Sequence, residues 1–191
     1  LPTARAVAFG TIAIGFGGSM TYGQTIGLTQ NAPLIGNWAA LEWGMLGLAI
    51  KGAIWFGFAG VFLGMGLGGV HYRPRDLLLL MAALLVLFIA GIWLLNMPFD
   101  PARKILPQLY FSADWRWQPG ADLKPRREVW GGLLCALAGA TVYSGWLRRD
   151  SLAVQLGMWG MIGGAVGFPP GQSLRSEEHM SELQSHLNLV C

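Results

Sequence analysis

Ser19, Thr21, Tyr22, Gln24 and Thr25 place five polar side chains within seven residues of an otherwise apolar segment. Gly17, Gly18 and Gly23 interrupt the same stretch. In hydrocarbon, hydroxyl and amide groups must find partners or water. A glycine-interrupted helix with clustered polar groups is one way a transporter builds a binding site at the membrane midplane. These five residues are the candidate substrate-binding set. They also fit a packing helix whose hydroxyls bond back to its own carbonyls.

A second set of chemically capable residues lies between positions 98 and 128. Asp100, Asp114 and Glu128 occur there with Arg103, Arg116 and Arg126. Acids and arginines in one extramembrane loop could serve a transferase acting on lipid-linked or extracytoplasmic substrates. A solvated loop that neutralises its own charge explains them equally well. Five prolines, Pro98, Pro101, Pro107, Pro119 and Pro125, forbid a long helix here. Tyr110, Phe111, Trp115 and Trp117 read as an aromatic belt resting on headgroups, or as a lid over a site.

Elsewhere the chemistry is sparse. The chain has no HExxH, CxxC, GxSxG or Walker-type loop, so no catalytic residue, metal site or cofactor is assigned. Gly64 to Gly69 is glycine-rich but does not link a strand to a helix, so it is no nucleotide fingerprint. Cys135 lies inside an apolar segment and Cys191 is the last residue, which gives no disulfide framework. Lys51 opens an apolar segment, where it can snorkel to the headgroups at little cost, with Glu42 as a possible ion-pair partner. His71 sits in a basic turn and reads as a headgroup contact.

The elements that must position these residues are set by lipid. The chain is 53% hydrophobic and only 12% charged, with 28 glycines and 9 tryptophans. Soluble domains carry about twice that charge. Residues 77–97 form 21 positions without a charge, 13 of them Leu, Ile, Val or Phe. At 1.5 Å per residue that is a rod of about 30 Å, the thickness of bilayer hydrocarbon. The expected fold class is all-α, a polytopic helical membrane protein with about five transmembrane helices. The spans fall at about 6–28, 51–70, 77–97, 129–147 and 152–168, and 98–128 is the outer loop. Residues 34–50 then form an interfacial or re-entrant piece, because a helix from Asn37 to Gly69 would be too long for ordinary spanning.

Small residues repeat at four-residue spacing. Thr11, Gly15, Ser19, Gly23 and Gly27 do so in the first segment, and Gly60, Gly64 and Gly68 in the second. Gly132, Ala136, Ala140 and Ser144 follow the same rule, as do Gly160 with Gly164 and Gly163 with Gly167. Such stripes let helix backbones approach closely, and they predict a tight bundle. A weak echo links Gly17-Gly18-Ser19-Met20 and Gly23-Gln24-Thr25-Ile26 with Gly163-Gly164-Ala165-Val166 and Gly171-Gln172-Ser173-Leu174. Parallel repeats occur in transporters, but chance resemblance between glycine-rich helices accounts for it better.

Short turns dense in arginine set the orientation. Arg73 and Arg75 lie in one turn, Arg148 and Arg149 in another, and Arg5 falls on the same side. The positive-inside rule makes that side cytoplasmic and the N-terminus internal, although the outer loop also holds six Lys or Arg among acids of opposite sign. Arg73, Arg75, Arg148 and Arg149 are expected to meet anionic lipid headgroups rather than nucleic acid. Residues 175–186, Arg-Ser-Glu-Glu-His-Met-Ser-Glu-Leu-Gln-Ser-His, resemble the conceptual translation of a sequencing-library adapter, with Met180 where that reading gives Thr. The resemblance implies that 175–191 is a non-native tail on a single transmembrane domain of residues 1–174. It also implies a fragment whose partners include the rest of its own chain or other membrane subunits. Together these features point to a transporter or permease in the plasma membrane. A membrane-embedded transferase using the 98–128 loop and a non-catalytic scaffold are the alternatives.

Overall fold

The computed structural model describes residues 2–17, 27–29, 32–111, 116–117 and 125–190, with 175–190 and part of the first helix described by backbone alone. Among these residues every regular element is helical and no strand occurs. The helices are α1 (Pro2–Gly17), α2 (Trp38–Leu67), α3 (Pro74–Leu95), α4 (Trp130–Val142) and α5 (Ser151–Val190). Helices α2 and α3, and the Ser151–Leu174 part of α5, are each long and apolar enough to cross a membrane. The described length of α1 is 16 residues, and α4 has 13 before it widens into a π-turn, Tyr143–Leu147.

Helix α2 departs from the expected boundary. It starts at Trp38 and runs 30 residues without a break, where a span beginning at Lys51 was expected. The reason is local. Asn37 caps the helix, its side-chain oxygen accepting from the Ala40 amide at 3.1 Å. Between 38 and 50 there is no proline, and Ala, Leu, Glu and Met all favour a helix. The rod is about 45 Å long, more than the hydrocarbon layer needs. Its surplus is covered by protein: Trp43 packs on Phe111 of the long loop after α3, with ring centroids 5.2 Å apart.

Helix α3 begins with Pro74 at its first turn, where the missing amide costs nothing, and with Asp76 facing the positive end of the helix dipole. Most of its Leu-rich surface is exposed, and only Leu80, Leu84 and Gly91 are buried. Helix α5 opens on Asp150, whose carboxylate accepts from the Ala153 amide at 3.1 Å. Its helical backbone continues past Pro169 and Pro170, beyond the expected end at Phe168. Each proline removes one rung of the ladder. One turn on, the Ser173 hydroxyl donates back to the Pro169 carbonyl at 3.2 Å.

The helices pack as antiparallel pairs. The largest contact is α2 with α5, followed by α1 on α2 and α3 on α4. One apolar cluster joins them, built on Ile54, Phe58, Phe62 and Met65 of α2, Leu80 and Leu84 of α3, and Leu133 and Leu137 of α4.

Candidate functional site

The polar set Ser19, Thr21, Tyr22, Gln24 and Thr25, together with Gly23, lies outside the described residues, as does Asp114. Gly15 falls within α1, and Gly27 lies half-buried in a short helical stretch at 27–29. The other striped glycines are placed in detail. A Cβ on Gly60 would stand 2.0 Å from the Leu156 carbonyl oxygen, and one on Gly160 would stand 2.1 Å from that of Phe56. A Cβ on Gly164 would meet the Gly52 carbonyl oxygen at 2.1 Å, and one on Gly64 would meet the Ala153 Cα at 2.4 Å. The α2 and α5 backbones therefore touch along a seam from Gly52 to Gly64, and glycine is required at each of these positions. Gly68 sits just beyond, where a Cβ would approach the Asp150 carboxylate. A Cβ on Gly163 or Gly167 would meet nothing within 4 Å among the described residues.

Lys51 and Glu128 form a buried ion pair. Each is only 2% exposed. The Lys51 ammonium lies 3.9 Å from Glu128 Oε1. The same oxygen accepts from the Phe111 amide at 2.9 Å, and Oε2 accepts from the Trp130 indole N–H at 2.9 Å. Both carboxylate oxygens are thus engaged. Phe111 is ringed by Trp43 and by Trp130, whose centroid is 5.4 Å away. Trp43 donates its indole N–H to the Tyr110 carbonyl at 2.8 Å, and the Tyr110 hydroxyl donates to the Arg126 carbonyl at 2.6 Å. Burial, and then the nearby Glu128 carboxylate, push the Tyr110 hydroxyl well above the ordinary tyrosine range. Arg116 stacks its guanidinium over Trp43 at 5.0 Å.

This arrangement differs from the sequence reading at both residues. Lys51 does not snorkel, and Glu128 does not sit in a solvated loop. Lys51 lies inside α2 because the helix extends 13 residues before it, so protein covers it. Glu42, the partner considered from sequence, is exposed. Asp100 is spent on its own turn, accepting from the Arg103 amide at 3.3 Å and pairing with the Arg103 guanidinium at 3.5 Å. The one available signal was a single cation and a single acid, each bordering an apolar stretch. Their pairing across 77 positions left no local mark.

A second polar cluster closes the opposite end of the bundle. Tyr72 is buried and donates its hydroxyl to Asp150 Oδ2 at 2.8 Å. Two guanidinium groups lie over its ring, Arg5 at 5.9 Å and Arg148 at 5.1 Å. Arg5 also donates to the carbonyls of Met65 and Val70, tying α1 to the end of α2. Arg148 pairs with Asp76 at 3.5 Å and donates to the His71 carbonyl. Burial, followed by the Asp150 hydrogen bond and charge, raises the Tyr72 hydroxyl far above its ordinary value. Arg73, Arg75 and Arg149 are exposed on this end.

Among the described residues no group of three His, Cys, Asp or Glu is placed to hold a metal ion. No protein-family model, curated protein or solved structure matches the chain.

Proposed function

We propose that the chain is part of a membrane transport protein of permease type. In this reading it is multi-pass, with about five spans, an internal N-terminus and a plasma-membrane location. Helices α1 and α4, the latter extended by its π-turn, supply the two spans beyond the three long apolar helices. The Arg-rich end faces the cytoplasm, where Arg73, Arg75, Arg148 and Arg149 meet anionic headgroups.

The observation that carries the proposal is the buried Lys51–Glu128 pair. Lys51 lies 16 residues, about 24 Å, from the inner end of α2. Burying two charges at that depth costs more than an apolar contact of equal size would. A scaffold has no use for that cost, whereas a gate does, since the pair latches the outer segment to a rigid α2–α5 pillar. Intramembrane ionisable groups mark substrate or ion pathways by default. Catalysis by Glu128 is the weaker reading, because both its oxygens are already filled by N–H donors and by Lys51.

Under this proposal Ser19, Thr21, Tyr22, Gln24 and Thr25 are exposed to water on the transport path. The test is single cysteine substitution at these five positions in a Cys135→Ala, Cys191→Ala background, followed by labelling in intact membranes with a hydrophilic thiol reagent. Labelling at several positions, altered when Glu128→Gln is added, is the expected result. Five uniformly unreactive positions would eliminate the transport reading.

A further inference from the structure

We infer that the groove between α3 and α4 seats one anionic phospholipid of the cytoplasmic leaflet. The inference rests on the membrane-spanning part of the reading above and is independent of transport. Leu80 and Leu84 form the floor of the groove, and Leu79, Ala83, Leu87 and Gly139 its walls. Its volume is about 400 Å³, and Asp76, Tyr143 and Arg148 stand at its charged end. From Asp76 to Leu87 is 11 residues of helix, about 16 Å. That is about half of the hydrocarbon thickness, the depth of one leaflet. The groove therefore has the length of a single acyl chain and begins at a single interface.

Its mouth selects the headgroup. Arg148 is paired with Asp76, and Arg73 and Arg75, just before Asp76 in the chain, and Arg149, just after Arg148, are exposed with no acid to match them among the described residues. The turn that presents the last of these is built irregularly. Tyr143–Leu147 is a π-turn, closed by the Arg148 amide donating to the Tyr143 carbonyl at 3.0 Å. Such turns are rare and concentrate at functional sites. Arg149 follows in the left-handed region at φ 51°, an unfavourable place for a side-chain-bearing residue. Trp146 in the same turn is 82% exposed, at the level where indole rings anchor among headgroups. Apolar walls one leaflet deep, surplus guanidinium groups at the mouth and an interfacial tryptophan beside them together fit a phospholipid. An apolar helix of a partner protein would leave the arginines without counter-charge.

The test uses the full chain, purified in mild detergent, stripped of lipid and exposed to phosphatidylglycerol or phosphatidylcholine of identical acyl chains. Native mass spectrometry counts the lipids retained. One phosphatidylglycerol should be held in preference to phosphatidylcholine, by about fivefold for each arginine that meets the phosphate. Arg149→Asn, which tolerates the left-handed backbone, should reduce that preference about fivefold and leave the fold intact. Ala83→Trp should fill the groove and abolish retention of both lipids. Equal retention of the two headgroups would overturn the inference. So would undiminished phosphatidylglycerol retention in both variants. A protein that stays monodisperse without detergent would overturn it together with the membrane reading, and this outcome is separately recognisable.

Discussion

Helix α2 is held in two opposite ways along its length. From Gly52 to Gly64 it meets α5 with almost no side chains between the backbones. At Trp43 and Lys51 it is held through its side chains: an indole donating to a carbonyl, an ammonium against a carboxylate, and tilted aromatic rings. The seam is specified by what is missing, and the cap by what is charged. The first tolerates no added volume, because a backbone carbonyl cannot rotate away. The second tolerates added volume better than a lost partner, because a buried charge without its counter-charge retains the whole desolvation penalty. One helix therefore has a rigid half and a half whose hold depends on a charge balance.

The largest effect should come from separating the charges of the cap. Lys51→Met or Glu128→Leu alone should cost about 3–5 kcal/mol, seen as a drop of about 10 °C in the thermal midpoint of the detergent-solubilised protein. The double variant Lys51→Met, Glu128→Leu should recover much of the loss. Strictly additive losses would show that the two residues do not act as a pair, and the contrast between cap and seam would dissolve.

The seam is broken differently. Gly60→Val should destabilise by about 3 kcal/mol, at the upper end of ordinary overpacking, since its Cβ would fall 2.0 Å from the Leu156 carbonyl oxygen. Gly160→Val should behave alike, with its Cβ 2.1 Å from the Phe56 carbonyl oxygen. Combining either with Lys51→Met should give additive losses, because seam and cap share no partner. Strong coupling between them would mean that the two halves of α2 move as one.

These differences also explain how much was legible in the sequence. Residues 77–97 identified α3 almost to its ends, because length and uninterrupted apolarity are local properties. The start of α2 was misplaced by 13 residues, because helix length was judged against lipid alone and no local feature shows that a distant loop covers the excess. Spacing of four located glycines suited to close packing, yet it could not choose between Gly160 with Gly164 and Gly163 with Gly167. Both pairs satisfy the rule, and only the first touches α2. Lys51 and Glu128 were each visible as charges beside apolar stretches. Their union is a product of topology, and a single sequence carries no term for it.

The inner end of the bundle tests whether a neutral donor can serve as well as a charge. Tyr72→Phe removes the hydroxyl that reaches Asp150 and leaves a buried carboxylate oxygen short of one donor. The expected loss is about 1–3 kcal/mol, smaller than at the cap because no charge is stranded without its Ala153 amide partner. The pH dependence has a definite sign. The Tyr72 hydroxyl is raised above its ordinary value in the folded protein, so its contribution is complete below about pH 10 and fades as pH rises further. Between about pH 10 and 12 the wild-type protein should lose stability more steeply than Tyr72→Phe. Parallel curves would mean that the hydroxyl is no better protected than in the unfolded chain.

The smallest effect is the most discriminating, because it keeps residue type, helix and spacing constant. Gly163 and Gly167 lie on α5 with the same four-residue interval as Gly160 and Gly164, but their missing side chains open onto no described atom. Adding a methyl group there fills no contact and removes backbone freedom from the unfolded state. Gly163→Ala and Gly167→Ala should leave the stability unchanged or raise it by up to about 1 kcal/mol, the helix-propensity gain, read as an unchanged or higher thermal midpoint. Gly164→Ala, one position away, should lower it, since the Gly52 carbonyl oxygen stands 2.1 Å from the new carbon. Opposite signs at adjacent glycines would establish that the seam is a one-sided stripe. A loss at Gly163 as large as that at Gly164 would instead reveal a second close neighbour on the other flank of α5, and the bundle would then contain another glycine-lined interface.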